Sequence, residues 1–276
     1  MQLRAMTYNI LFKSSRFDKM PNKQWQNRRE YVIERIKMHY PNILAIQEGT
    51  TTQVQELQAA LPKYAYYGVH NKPEGEQVGI FYEKAIFELE NANTFWLSTT
   101  PNQPSKSWES ANPRICSYVQ LLHKVSQQTV FYFNTHLDHK SALARIEGIK
   151  VILSKIKELQ TAFPKAFFAF SGDLNANTKT AVYQELSKAS FLQDCFHSTL
   201  DKAQELNYTF VGIDKKWTWT KFLLFCFYPR FMHKRIDHVF VSKNWKTQRY
   251  LIDNWANAQG YYPSDHLPII VDLKMY

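Results

Sequence analysis

Six times along this chain an apolar, strand-like run meets a polar residue that can do chemistry. Asn9 follows MTY, Glu48 follows ILAIQ and His136 follows FYFNT, while Asp173 and Asn175 follow FFAFSG. Asp237 sits inside RIDHVFV, and the pair Asp265–His266 precedes LPIIV. Carboxylates, amides and imidazoles at strand ends converge on one edge of a sheet, where paired backbone holds them in place. A single Asp after a strand is ordinarily a turn or helix-cap residue. Independent capping accounts poorly for six such places in one chain, so the pattern constrains both the fold and the place of the chemistry.

Between these strands lie helical patterns. Trp25 to Tyr40 carries Val32, Ile33 and Ile36 on one side and is stopped by Pro41. A second helix is predicted near Thr52–Leu61. From Ser141 onward Ile146, Ile149, Ile152, Ile156 and Leu159 form an apolar stripe that ends before Pro164. Another helix is predicted after Asn177. Buried-type strand, polar residues and then helix recur, which gives an α/β protein with helices covering sheets. No repeat or Gly/Ser linker interrupts residues 1–276, so a single domain is expected.

With 45% hydrophobic and 15% aromatic residues the chain can build a substantial core and is not a disordered tail. The formal charge of +10 favours anionic partners, although diffuse charge sets encounter rate rather than chemistry. Cys116, Cys195 and Cys226 are far apart and form no zinc spacing, as expected of reduced thiols. No secretory apolar region opens the chain, and the run Phe222–Tyr228 is far short of the ~20 residues that span a bilayer. A cytoplasmic location is expected.

Several acidic oxygen donors without a Cys ligand or HExxH point to a hard metal, Mg²⁺ or Mn²⁺, rather than zinc. Two histidines with carboxylate neighbours can act as acid, base or charge stabiliser, and Asn amides donate to phosphate oxygens without adding charge. That set suits metal-assisted attack of water on a phosphate ester. The chain has no GxxxxGK[ST], GxGxxG or GxSxG, which argues against an NTPase, a dinucleotide enzyme and an ordinary serine hydrolase.

The motifs TYNI, QEGT, NTHLD, SGDLNAN, RIDHVFVS and PSDHLPI, in this order across residues 5 to 273, resemble the endonuclease/exonuclease/phosphatase superfamily. Within it, WQNRR, TFWLS and NTHLDH with Arg145 look most like bacterial members near the nocturnin-like and tyrosyl-DNA-phosphodiesterase-like branches. The resemblance implies the DNase I-like fold: a four-layer α/β/β/α sandwich of two mixed sheets packed face to face, with helices outside. By position it implies that Glu48 is the principal metal ligand, with Asn9 beside it and Asp265 near the metal. His136 then contacts the phosphate, Asp173 orients or activates water, and Asn175 donates to phosphate. Asp237 orients the catalytic His266, and either Asp173 or His266 removes the proton. An extra acidic ligand found in some members falls at Leu11 here, so one metal is expected.

Other residues carry two readings each. Arg114 in NPRICSY can bind phosphate as a fork or be a strand-edge surface arginine. His139 and Arg145 can face the substrate, and Arg28 is structural or on the substrate rim. The aromatic and basic stretch between TFVG and RIDHVFVS, centred on Phe222–Phe231, is either extra packing or a surface for lipid or bases. Lys215, Lys216, Lys221, Arg230, Lys234 and Arg235 around it suit both anionic targets. The expected function is a Mg²⁺-dependent phosphodiesterase on nucleic acid or a nucleotide-containing substrate. A sphingomyelinase-like lipid enzyme, an inositol or sugar phosphate phosphatase and a binding module with a dead site are the alternatives.

Overall fold

The computed structural model describes residues 1–15, 20–201, 206–212 and 234–275. Most of the aromatic stretch, including Phe222–Phe231, Lys215, Lys216, Lys221 and Arg230, lies outside the described residues, as does Cys226.

The chain opens with β1 (Gln2–Asn9), α1 (Trp25–His39), β2 (Ile43–Gly49), α2 (Thr51–Ala60), β3 (Tyr64–His70), β4 (Gln77–Glu83) and β5 (Phe87–Trp96). It continues through β6 (Ile115–His123), β7 (Gln128–His136), α3 (Ala142–Ala162), β8 (Phe167–Asp173), α4 (Ala181–Lys188) and β9 (Leu192–Asp194). A one-turn helix α5 (Cys195–Ser198), β10 (Asp237–Ser242), β11 (Trp245–Ile252) and β12 (Ile269–Met275) complete it. The described strands form two six-stranded sheets, β11-β12-β1-β2-β4-β3 and β5-β6-β7-β8-β10-β9. Among the described residues no helix is long and apolar enough to cross a membrane.

Each sheet is built around one parallel pair, β1–β2 in the first and β7–β8 in the second, crossed by α1 and α3. Side chains alternate across a strand, and both faces of these strands are covered, so their sequences read as continuous apolar runs. On β7, Val130 and Tyr132 join the core between the sheets with Ile43, Ala45, Ala169 and Val239. Phe131 and Phe133 face the other way and pack with Ile149, Ile152 and Ile156 of α3. On the far side Leu44 and Ile46 pack with Val32, Ile33 and Ile36 of α1 and Val54 and Leu57 of α2. These three apolar layers make the fold the DNase I-like sandwich expected, with helices outside two facing sheets. Burying one such Phe or Ile is worth about 1.5–3 kcal/mol.

A buried amide joins the sheets beneath the polar edge. Asn134 on β7 donates to the carbonyls of Ile46 and Gly79 in the opposite sheet and accepts from Gln47, which also donates to Thr7. Both hydrogens of the Asn134 amide and its oxygen are paired inside the core, where an unpaired polar group is costly, and in this network only Gln47 Oε1 is left without a partner, so these bonds tie the two sheets together.

Gly172, one residue before Asp173, has φ +147° and its Cα faces the Thr135 carbonyl so closely that a Cβ would collide with it. Gly172→Ala is therefore expected to cost about 2–3 kcal/mol through overpacking and backbone strain. Urea unfolding checks this, and a midpoint within error of wild type would contradict it.

Candidate active site

Strand direction explains why the polar residues meet. Asn9, Glu48, His136 and Asp173 all stand at the carboxyl ends of the parallel pairs, and in register His136 lies beside Asp173. The next strands run antiparallel, so it is their beginnings that reach the same edge. Asp237, first residue of β10, is the partner of Asp173, and Glu76 immediately precedes β4, which pairs with β2.

Glu48 has φ +62°, a left-handed conformation uncommon for any residue but Gly. Its two oxygens are tied: Oε1 accepts from Asn9 Nδ2 at 3.0 Å and Oε2 from the Phe12 amide at 2.9 Å. The capping box of Thr50 and Gln53 starts α2 just beyond it. Gln53 also holds the β1 exit, donating to the Leu11 carbonyl and accepting from the Lys13 amide. Leu11 and Asn175 share the left-handed backbone, at φ +58° and +47°. Strain of this kind persists only where the surroundings over-determine it.

Asp173 stands at the centre. Its Oδ2 accepts from Asn9 Nδ2 at 3.0 Å, and two imidazole Nε2 atoms face the same oxygen, His136 at 3.5 Å and His266 at 3.6 Å. Each imidazole is gripped from behind by another carboxylate. His266 Nδ1 lies 2.8 Å from Asp237 Oδ2, and His136 Nδ1 lies 3.1 Å from Glu76 Oε2. Burial opposes charge on His266, but Asp237 and Asp173 outweigh it and raise its pKa well above the ordinary value. His136 is raised in the same way, burial opposing and Glu76 prevailing, with Arg114 acting against. Burial works against ionisation of Glu76 too, yet His136 and Arg114 hold its carboxyl down to about 2.

Asp265 lies in the same cavity, which has a volume of about 680 Å³. Burial, with Glu48 adding to it, pushes its pKa up. Two carboxylates crowded in this way are what a divalent cation relieves, and Glu48, Glu76 and His136 offer ligand atoms within 4.8 Å of one another. The donor set is mostly carboxylate oxygen, which fits a hard metal. Asn9 is committed differently from a simple ligand: its amide bridges Glu48 and Asp173, and its Oδ1 accepts from the Leu11 amide.

Asn175 lines the cavity, its amide donating to the Leu137 carbonyl and its backbone N–H to Asp173 Oδ1. Arg114 is no surface arginine. It is 5% exposed and reaches Glu76 at 2.6 Å through Nη1, with His139 Nδ1 3.2 Å from Nη2. His139 is exposed at the rim of the cavity. Arg145 stands farther out, donating to the Asp138 carbonyl, and does not line the reaction cavity. Arg28 is structural: buried, it donates to the carbonyls of Lys23, Ile10, Leu11 and Pro263 and so staples the β1 exit to the PSDH loop. Ser264 adds a second staple by donating to the Asn9 carbonyl.

Two acids at this edge escaped the sequence reading. Glu76 ends the polar turn NKPEGE, where it reads as a turn residue. Asp138 reads as a helix-start residue, and it does hold the Lys140 and Ser141 amides, but it also accepts from Ser110 and Ala111. Burial alone would raise its pKa; these bonds and Arg114 bring it to about 2.

The model of the Endonuclease/Exonuclease/phosphatase family matches residues 6–266. The chain belongs to this family. A mannosyl-6-phosphatase of Bacteroides thetaiotaomicron is 29% identical, with 99% of this chain and 100% of that one covered and a TM-score of 0.87. At the level of the fold alone, TDP2 of D. rerio, complexed with single-strand DNA product, is 19% identical with a TM-score of 0.75, and 99% of both chains is covered. The human nocturnin catalytic domain, with bound sulfate, is 19% identical with a TM-score of 0.74, over 100% of this chain and 95% of that one. Both branches that the motifs resemble are thus represented among structures of this fold, and the family together with the 29% likeness to a phosphatase supports phosphoric ester hydrolysis.

Proposed function

We propose that this protein is a Mg²⁺- or Mn²⁺-dependent phosphodiesterase that hydrolyses nucleic acid or a nucleotide-containing substrate. The observation that carries the reading is the pair of carboxylate-backed imidazoles, both turned onto Asp173 beside the crowded Glu48 and Asp265. Glu48 and Asp265 would hold the metal, which when bound supplies Lewis-acid polarisation of a phosphoryl oxygen. Asp173, held by Asn9, orients a water and takes its proton. His266 and His136, kept cationic by Asp237 and Glu76, donate through Nε2 to the phosphate oxygens as negative charge grows. Donors fixed in advance toward growing charge are commonly the largest catalytic contribution.

A second reading, hydrolysis of a hexose phosphate monoester, is favoured by the 29% likeness to the mannosyl-6-phosphatase. One experiment separates the two. End-labelled single-stranded RNA and DNA, and separately mannose 6-phosphate, are incubated with Mg²⁺, Mn²⁺ or EDTA, beside His266→Ala. Metal-dependent cutting of the oligonucleotide, abolished by EDTA and by the substitution, is expected. Intact oligonucleotides with phosphate released from the sugar would transfer the assignment to the second reading.

A further inference from the structure

Beside the reaction cavity runs a second, larger groove of about 1000 Å³, and the two meet at Asn175 and His139, which line both. Their charges differ: the reaction cavity mixes acids with Lys72, Arg114, His136 and His266, and the described lining of the groove is cationic alone. Glu48, Glu74, Glu76, Asp173 and Asp265 line the reaction cavity. The described residues lining the groove include no Asp or Glu, but they do include Lys140, Arg145, Lys179, Lys234 and Arg235. Only Arg235 is neutralised, by a bidentate pair with the buried Asp194. Among the described residues no carboxylate pairs with Lys140, Lys179 or Lys234. Arg145 is held in place by the Asp138 carbonyl, and its buried Nε has no partner there.

We infer that this groove is a second phosphate subsite, which takes the phosphate next to the scissile one on a single-stranded oligonucleotide. The inference rests on the nucleolytic reading above and names what selects its substrate. Two features favour a phosphate chain over a single phosphate ester. First, the carboxylates of the reaction cavity offset its cationic side chains and weaken its pull on a bare phosphate, whereas the described lining of the groove carries cations without a carboxylate and attracts one unaided. Second, Asn175 and His139 stand at the junction, so a ligand with phosphates at successive positions can fill both compartments. Donors for phosphate oxygens are at hand: Asn177 and Thr178 line the groove, and so does Ala142 at the start of α3. Anions are favoured at such a helix start. Small monoesters fill only the reaction cavity and gain nothing from the groove.

The test uses the triple variant Lys140→Gln/Lys179→Gln/Lys234→Gln, which spares Arg145 and every residue of the reaction cavity. Fluorescence anisotropy of a labelled eight-nucleotide single strand is read in EDTA over a salt series. Wild type is expected to bind without metal, and the variant about tenfold or more weaker at low salt. Removing three cations from phosphate contacts should flatten the slope of log K against log salt by about 2, at roughly 0.7 per contact on a single strand. With Mg²⁺ present, the ratio of kcat/KM for the oligonucleotide to that for p-nitrophenyl phosphate should fall about tenfold, through KM. An unchanged salt slope, or equal losses on both substrates, would overturn the subsite. Lysine-dependent binding of an oligonucleotide that is never cut would uphold the groove and overturn the nucleolytic reading, so the two failures are distinguishable.

Discussion

Replacing His266 with alanine should lower kcat by roughly 10²–10⁴, the range of a lost acid/base group, on any phosphate ester the wild type turns over. The imidazole sits 2.8 Å from Asp237 and 3.6 Å from Asp173, and no other described side chain places a cationic donor between these two acids. Glu48→Gln should lose as much for a different reason, and the two variants separate on metal dependence. Gln keeps the size and one of the two acceptors, turns its NH2 against either the Asn9 amide or the Phe12 N–H, and removes the charge that holds a divalent ion. Raising Mg²⁺ should therefore restore part of the Glu48→Gln activity and none of the His266→Ala activity. Steady-state rates across a metal titration provide the measurement. Full activity in either variant would remove the assigned role, and rescue of His266→Ala by metal would reverse the division of labour.

The placement of these residues was largely legible in the sequence because a strand end is a local signal. An apolar run buried on both faces is conspicuous, and the first polar residue after it falls at the sheet edge whatever the strand order. Asn9, Glu48, His136, Asp173, Asn175, Asp237 and the pair Asp265–His266 all stood out beside apolar runs, while their separate roles came from the resemblance. Order within the sheets was not legible, since it depends on pairings far apart in sequence, such as β1 with β12. Glu76 was hidden for that reason. It stands before its strand, after a hairpin turn, and reaches the edge only because β4 runs antiparallel to β2. Arg114 offers a similar lesson, for nothing in NPRICSY says that the guanidinium turns inward onto that unseen acid.

Conservative replacement of Glu76 tests whether it acts through His136. Glu76→Gln should reduce kcat about 10–10²-fold, as loss of a carboxylate behind an active imidazole typically does. Glu76 is the largest influence raising the His136 pKa, so its neutral replacement should bring that pKa down. The imidazolium is then lost at lower pH, and the alkaline limb of the kcat profile should move in the acid direction. A side chain that only filled space would leave that limb where it is. If the two groups act as one unit, Glu76→Gln/His136→Ala should be no slower than His136→Ala alone. Stability carries its own signature. A carboxyl lowered from 4.5 to about 2 contributes about 3 kcal/mol, at roughly 1.4 kcal/mol per unit. The sign follows from the depressed pKa: the contribution is complete above pH 4.5 and is lost only as pH falls toward 2. Wild type should thus exceed Glu76→Gln in urea midpoint at pH 7, with the gap closing in acid, because buried Arg114 and His136 no longer have their anion in the variant. An equal gap at pH 7 and pH 3 would mean that the charge of Glu76 holds nothing in place.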